Sequence, residues 1–123
     1  ADVSSYNKAK HNESAKRVHF QQESGAWGKT INPEKQADHM ESTRKAGKSY
    51  FADSVDVQQL LNKYAGTGEL NPTRTGFGNV EIIKGLNLPG NVITKDGEIL
   101  PITGIKIHHS KKRTHVVPYT GKE

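Results

Sequence analysis

The stretch Ile105-Lys106-Ile107-His108-His109-Ser110-Lys111-Lys112-Arg113-Thr114-His115-Val116-Val117-Pro118 decides how this chain is read. Apolar residues alternate at Ile105 and Ile107, histidines fall at His108, His109 and His115, and Lys111, Lys112 and Arg113 stand between two extended runs. Alternation, then a polar turn, then a β-branched return predicts a hairpin. With Lys112 and Arg113 as its loop, Ser110 stands opposite His115 and His108 opposite Val117. Pleating then sends His108, Ser110 and His115 to one face and Ile107 and His109 to the other. A three-residue loop would turn His115 to the opposite face, so the register stays open. Either way, proton-transfer groups and positive charge meet at one hairpin.

The charge is unevenly placed. Residues 102–123 hold five Lys/Arg against one Glu, leaving 13 against 12 in the remainder of a chain whose formal charge is +5. A clustered positive field suits a polyanionic partner such as RNA, and the coincident histidines strengthen that reading over a merely solvated surface. With 123 residues, 32% of them hydrophobic, the chain supports one domain with a thin core. It lacks cysteine, which excludes a disulfide scaffold and a Cys-based zinc site. No run of residues reaches the apolar length of a membrane span or a signal-peptide core, so no membrane insertion is expected of this segment. The chain opens on Ala1 and its single Met is the internal Met40, as in a fragment or processed product of a longer polypeptide.

Residues 1–30 are polar and weakly patterned and read as an arm or linker, and residues 31–123 as a single domain. Within the arm, Ala9 to Phe20 can form a short helix without a convincing apolar stripe, and Trp27 reads more readily as a core plug over a sheet edge than as a base-stacking platform. A helix starts at Asn32, which caps it, with Pro33 at its first position and Glu34 near the positive end of the dipole. Lys35 and His39 fall four apart on one face, with Gln36 beside them. Glu41 to Ser49, containing Arg44, Lys45 and Lys48, is a basic connector able to reach a phosphate backbone. Ser54 to Ala65 is the clearest helix: Asp53 or Ser54 caps it, Val57, Leu60, Leu61 and Tyr64 form its stripe, and Gly66 stops it. Gly66 to Gly78 reads as a loop. Strand-like runs follow at Val80–Ile83, Asn91–Thr94 and Ile99–Ile102, with Asp96-Gly97 as a tight turn. Glu81, interrupting an apolar run, is expected to face water or a hairpin cation. Helices first and a strand meander last give an α+β fold: N-terminal helices packed on one face of a twisted antiparallel sheet, with the active site on the opposite face.

The pattern Asn32-Pro33-x-Lys35-Gln36-x-x-His39, then Lys48-Ser49, then Tyr64-Ala65-Gly66-Thr67-Gly68-Glu69, then Thr103 and Ile107-His108-x-Ser110-Lys111-Lys112-x-Thr114-His115-Val116-Val117-Pro118 resembles the type 50 bacterial polymorphic toxin domain over residues 31–118. That family is placed with the metal-independent ribonucleases of the barnase, EndoU, colicin D and RelE superfamily, and its members sit at the C-terminal tips of larger delivery proteins. The resemblance implies a ribonuclease toxin without cofactor, tRNA being the natural substrate by analogy. It implies an immunity protein made alongside the toxin, a delivery protein upstream in the same polypeptide, and action in the cytoplasm of a target bacterial cell. It marks Lys35, Gln36, His39, Thr103, His108, Ser110 and His115 as site positions. This sequence departs from the pattern at His109, where an aromatic residue is common, and at Glu41 and Arg113, where glycine is common.

The residue types suit that chemistry. Metal-free RNA cleavage needs a base to take the 2′-OH proton and an acid to protonate the leaving 5′-oxygen. Histidine serves both, and a positioned general acid or base contributes roughly 10²–10⁴-fold. The first assignment pairs His39 with His108 or His115. Lys35 and Lys111 or Lys112 stabilise charge on the phosphoryl oxygens, Ser110 and Thr103 donate hydrogen bonds to them, and Gln36, Arg44, Lys48 and Arg113 complete the RNA contacts. Two other classes stay open. A non-catalytic RNA-binding module explains the basic hairpin but leaves the histidines idle. A metal-dependent nuclease lacks H-E-x-x-H, a Cys ligand and a cluster of carboxylates.

Overall fold

One strand, β3 (Gly76–Ile93), is 18 residues long and every other strand but one pairs with it. The computed structural model describes residues 3–74 and 76–121, residues 3–11 by their backbone alone, so the outermost ends of both expected segments and Thr75 lie outside the described residues. β4 (Ile99–His108) runs antiparallel along one edge of β3, from Ile93↔Ile99 to Val80↔His108. On the other edge, β2 (Glu69–Thr73) pairs with the first half of β3 and β1 (Tyr50–Phe51) with the second. β5 (His115–Tyr119) pairs only with β4. The result is a five-stranded antiparallel sheet, the α+β fold expected from the sequence.

Two runs expected as separate strands are one. Between them lies Gly85-Leu86-Asn87-Leu88-Pro89-Gly90, whose turn-forming composition produces register shifts between Lys84 and Leu88 and between Leu88 and Val92 rather than a break. The expected loop from Gly66 to Gly78 is likewise corrected: most of it is β2 and the start of β3. Pro72 and a register shift between Leu70 and Pro72 hid a bulged edge strand, which is anchored by the buried Leu70 and by the Asn71 side chain, whose Oδ1 accepts the Val80 N–H at 3.0 Å.

α3 (Val57–Tyr64) begins later than expected. Asp56, not Asp53 or Ser54, is its cap and accepts the Gln59 N–H at 3.2 Å. Asp53 is engaged elsewhere, taking the N–H and hydroxyl of Ser42. Val57, Leu60 and Leu61 meet Phe51, Ile83, Val92, Ile102, Ile105, Ile107 and Val116 in the main core. Helix residues thus pack on the Ile105/Ile107/Val116 face of the sheet. By alternation, Lys106, His108, His115 and Val117 point the other way, and all four are partly exposed.

α1 (Val3–Glu23) carries the chain through much of the segment expected as an arm. Ser14 and Val18, four apart, lie on one face and are both fully buried. Ser14 Oγ accepts the Leu70 N–H at 3.1 Å, and Val18, Leu70 and Trp27 form a second small core. Trp27 is a core plug: it is 8% exposed, and its ring stacks on His109 with centroids 4.6 Å apart. The next residue, Gly28, donates to Ser110 O at 2.8 Å, so this segment braces the hairpin loop from behind. Trp27→Ala should therefore lower unfolding free energy by about 3 kcal/mol, read as an earlier urea midpoint, whereas Phe20→Ala on the exposed side of α1 (68% exposed) should leave it unchanged.

Candidate active site

The hairpin pairs His108 with His115, Ile107 with Val116 and Lys106 with Val117. That register is offset by two residues from the expected Ser110/His115 pairing, and an offset of two preserves the face of every side chain. His108 and His115 are therefore cross-strand neighbours on one face, as expected, while Ser110 belongs to a longer loop, residues 109–114. The loop is self-bonded: Thr114 Oγ1 donates to Ser110 O at 2.7 Å and accepts the Ser110 N–H at 3.1 Å, and Ser110 Oγ accepts the Arg113 N–H. Ser110 Oγ is the acceptor in its bond with Arg113, which leaves the hydroxyl its capacity to donate.

The Asn32–His39 motif is fastened to this hairpin at three points. Asn32 Oδ1 caps α2 (Pro33–Ala37) by accepting the Lys35 N–H, its Nδ2 donates to Lys112 O at 2.9 Å, and its own N–H donates to Thr114 O. One turn on, the buried Gln36 donates through Nε2 to Val116 O at 2.9 Å and accepts the Val116 N–H through Oε1 at 2.8 Å. Just past the helix, His39 meets His115. The imidazoles of His39, His115 and His108 lie nearly parallel in sequence, with centroids 6.0 Å and 4.8 Å apart and interplanar angles of 11° and 12°.

Backbone carbonyls orient two of these rings. His39 Nδ1 is 2.9 Å from Ser49 O and His115 Nδ1 is 2.8 Å from Arg113 O. A carbonyl oxygen can only accept, so each Nδ1 carries hydrogen and each Nε2 is left as the proton-exchanging nitrogen. Ser49 is in turn held by its Oγ, which accepts the Ile93 N–H at 2.9 Å. Burial pushes His108 down to about 4, with the charges of His115, His39 and Lys106 acting in the same direction. Burial also lowers His39, opposed by its bond to Ser49 O and reinforced by His115 and Lys48. His108 is thus neutral at pH 7. Among the described residues no group of three or more His, Asp or Glu side chains is placed to hold a metal ion.

The charge of Lys48 acts on His39 and that of Lys106 on His108. Lys35, Lys48, Lys111, Lys112 and Arg113 are exposed, and Arg44 lies over the Tyr50 ring at 4.2 Å. Of the residues singled out in the sequence, His39, His108 and His115 come together, and Ser110 lies in the adjoining loop. Gln36 has both ends of its amide engaged by Val116. Thr103 is set apart, five residues down β4 from His108, where its Oγ1 accepts the Gly121 N–H at 3.1 Å.

A second, wholly buried pair was not foreseen. Glu81, expected to face water or a hairpin cation, is fully buried, and its partner is the hairpin residue His109, whose Nε2 is 2.8 Å from Oε1. The carboxylate also takes the N–H groups of Gly66 and Gly68, each at 2.8 Å from Oε2. The Tyr64–Glu69 turn is therefore a socket for Glu81, and Gly66 serves the turn itself: its φ is +87°, and a Cβ there would meet the His19 ring of α1. The signal was present as an acidic residue inside an apolar run, ahead of which two glycines flank Thr67.

A family model described as bacterial toxin 50 matches residues 31–118. The chain belongs to the bacterial toxin 50 family. No curated protein matches it. The matched span holds every element of the toxin's histidine stack and of the Glu81 socket, while the Trp27–Gly28 brace precedes it. Membership in a toxin family carries with it an immunity partner and delivery to a target cell; among the described residues no helix is long and apolar enough to cross a membrane.

The titration of His108 has a measurable consequence. Its folded value, about 4, lies below the unfolded value of 6.5, so between those limits the unfolded chain binds more protons and stability rises with pH. His108→Gln removes this contribution. The variant should gain stability relative to the parent as pH falls from 6.5 towards 4, with no further relative change below; urea midpoints measured across that range check it.

Proposed function

We propose that this toxin is an endoribonuclease that cleaves RNA, tRNA foremost, without a metal ion, by attack of the ribose 2′-OH on the adjacent phosphorus. The carrying observation is the stack of three imidazoles with two carbonyl-fixed tautomers, on which the charges of Lys48 and Lys106 bear. His39 and His115 are the acid-base pair, because each presents Nε2 and holds Nδ1 on the backbone. His108, neutral at pH 7, packs its ring against that of His115 and so fixes where His115 stands. The lowered His39 suits the base, which must start unprotonated, and leaves His115 as the acid. Lys35, Lys48 and the Ser110 hydroxyl are directed at the phosphoryl oxygens, and Arg44, Lys111, Lys112 and Arg113 hold the flanking phosphates. Thr103 and Gln36 shape the fold rather than touch the RNA.

Purified toxin should cleave labelled tRNA in excess EDTA and leave a 2′,3′-cyclic phosphate, with DNA intact because it lacks the attacking hydroxyl. Activity abolished by EDTA and restored by a divalent ion would overturn the metal-free mechanism. Alanine at His39 or His115 should lower turnover tenfold or more with RNA affinity nearly unchanged, while Lys111→Ala or Lys112→Ala should weaken binding and reduce its salt slope by about one. RNA binding with no cleavage under any of these conditions would leave a non-catalytic RNA-binding module.

The toxin is carried by a larger upstream protein to the cytoplasm of a target bacterium, and its producer is protected by an immunity protein. That partner is acidic and covers Lys111, Lys112 and Arg113, since complementary potentials speed encounter and set specificity. Charge reversal at Lys112 should slow association with the immunity protein, and rising salt should do the same to the parent. An immunity protein that binds with the hairpin still open to RNA would overturn this arrangement.

A further inference from the structure

The face of the sheet that carries His108 and His115 continues well beyond them. Next along it comes Lys106 on β4, paired with Val117 on β5 to one side and with Ile82 on β3 to the other, and then Tyr119, paired with Gly104, which is itself paired with Lys84. Val117, Ile82 and Tyr119 are half-buried although the main core lies on the opposite face. Tyr119 reaches down onto β4 because residue 104 is glycine: a Cβ there would lie 3.0 Å from Tyr119 Cδ1. Lys106 stands between the two ends of this strip. Its ammonium is 5.4 Å from the centre of the Tyr119 ring, and its charge bears on His108. His115 and Tyr119 are four residues apart on one strand, about 13 Å.

An aromatic ring, an apolar floor and a lysine continuous with a phosphate-reactive centre are the parts of a single-strand groove, in which bases stack on rings while cations track the backbone. A base inside a duplex has both faces occupied by its neighbours and cannot lie on Tyr119. Charge complementarity decides the occupant. Lys84, Lys106 and the hairpin cations make the strip predominantly positive, with Glu69, opposite Ile82, at its far rim.

We propose that this face binds an unpaired RNA segment, with one base stacked on Tyr119 and Lys106 on a phosphate between that base and the scissile bond. The reading rests on the ribonuclease function proposed above and narrows its substrate to unpaired regions of RNA. Tyr119 lies outside the span matched by the toxin family, so the subsite belongs to this chain's own specificity.

The test separates binding from cleavage by using a 2′-O-methyl oligoribonucleotide, which cannot be attacked. Anisotropy is measured for the labelled single strand and for the same strand annealed to its complement, with the whole chain and its Tyr119→Leu, Tyr119→Phe and Lys106→Gln variants. The single strand should bind at least tenfold more tightly than the duplex. Tyr119→Leu should lose roughly tenfold for the single strand, Tyr119→Phe should bind like the parent, and Lys106→Gln should reduce the salt slope by about one. Equal binding of duplex and single strand overturns the proposal, as does unchanged binding by Tyr119→Leu. So does a Tyr119→Leu defect confined to the immunity partner, which would make this a protein-docking face. If Tyr119→Leu weakens single-strand binding and the parent cleaves no unmodified RNA, the groove stands and the ribonuclease reading falls. If the parent cleaves while Tyr119→Leu binds normally, the reverse holds. Tyr119→Phe, which keeps the ring on Gly104, guards against a defect in folding.

Discussion

The carboxamide of Gln36 exchanges two hydrogen bonds with the backbone of Val116, and the site depends on that exchange. β5 pairs with β4 along one edge only, and at Val116 the outward N–H and C=O would otherwise be buried without partners. A buried backbone group left unpaired costs about 1–3 kcal/mol, so a side chain that supplies both donor and acceptor at one residue fixes α2 against the strand. With the helix fixed, Asn32 falls beside the hairpin loop and His39 beside His115. Closing β5's edge also removes a place where another extended chain could pair.

The scattered motif residues of the sequence are accounted for by this wiring. Asn32, Gln36 and His39 are three successive fastenings of one short helix to one hairpin. Ser49 supplies the carbonyl that fixes the His39 ring, and the Tyr64–Glu69 turn supplies the amides that hold Glu81. Glu81 in turn holds His109, and His109 carries Trp27 on its face. The loop bearing Ser110 and the cations is therefore gripped from two sides, by Asn32 and by the buried Glu81–His109–Trp27 arrangement. The His109 ring stacks on Trp27 as an aromatic side chain would, while adding a polar contact to Glu81.

Much of this was legible in the residues. The Asn32 cap, the Val57/Leu60/Leu61 stripe and the pleated alternation of the hairpin express local rules, and they give the α+β order of elements and the shared face of His108 and His115. Three things were not legible. The 18-residue β3 was hidden because Gly85, Pro89 and Gly90 have the composition of a turn, and only pairing with β4 and β1 decides that they are bulges. The docking of α1 was hidden because it rests on few buried side chains, Ser14 and Val18 among them, too sparse for a periodic signal. The role of Glu81 was hidden because its partners lie 13 to 28 residues away in the chain.

The span of the Gln36–Val116 contact, 80 residues, bears on when this molecule becomes dangerous. The strand pairs of the meander join neighbours in sequence and have little loop entropy to overcome, whereas the contact that unites His39 with His115 must close nearly the whole domain. A chain still being made, or held extended while it moves through a narrow passage, therefore carries all its histidines without a centre. The histidine stack is a property of the closed topology, and no single stretch of the chain carries it alone.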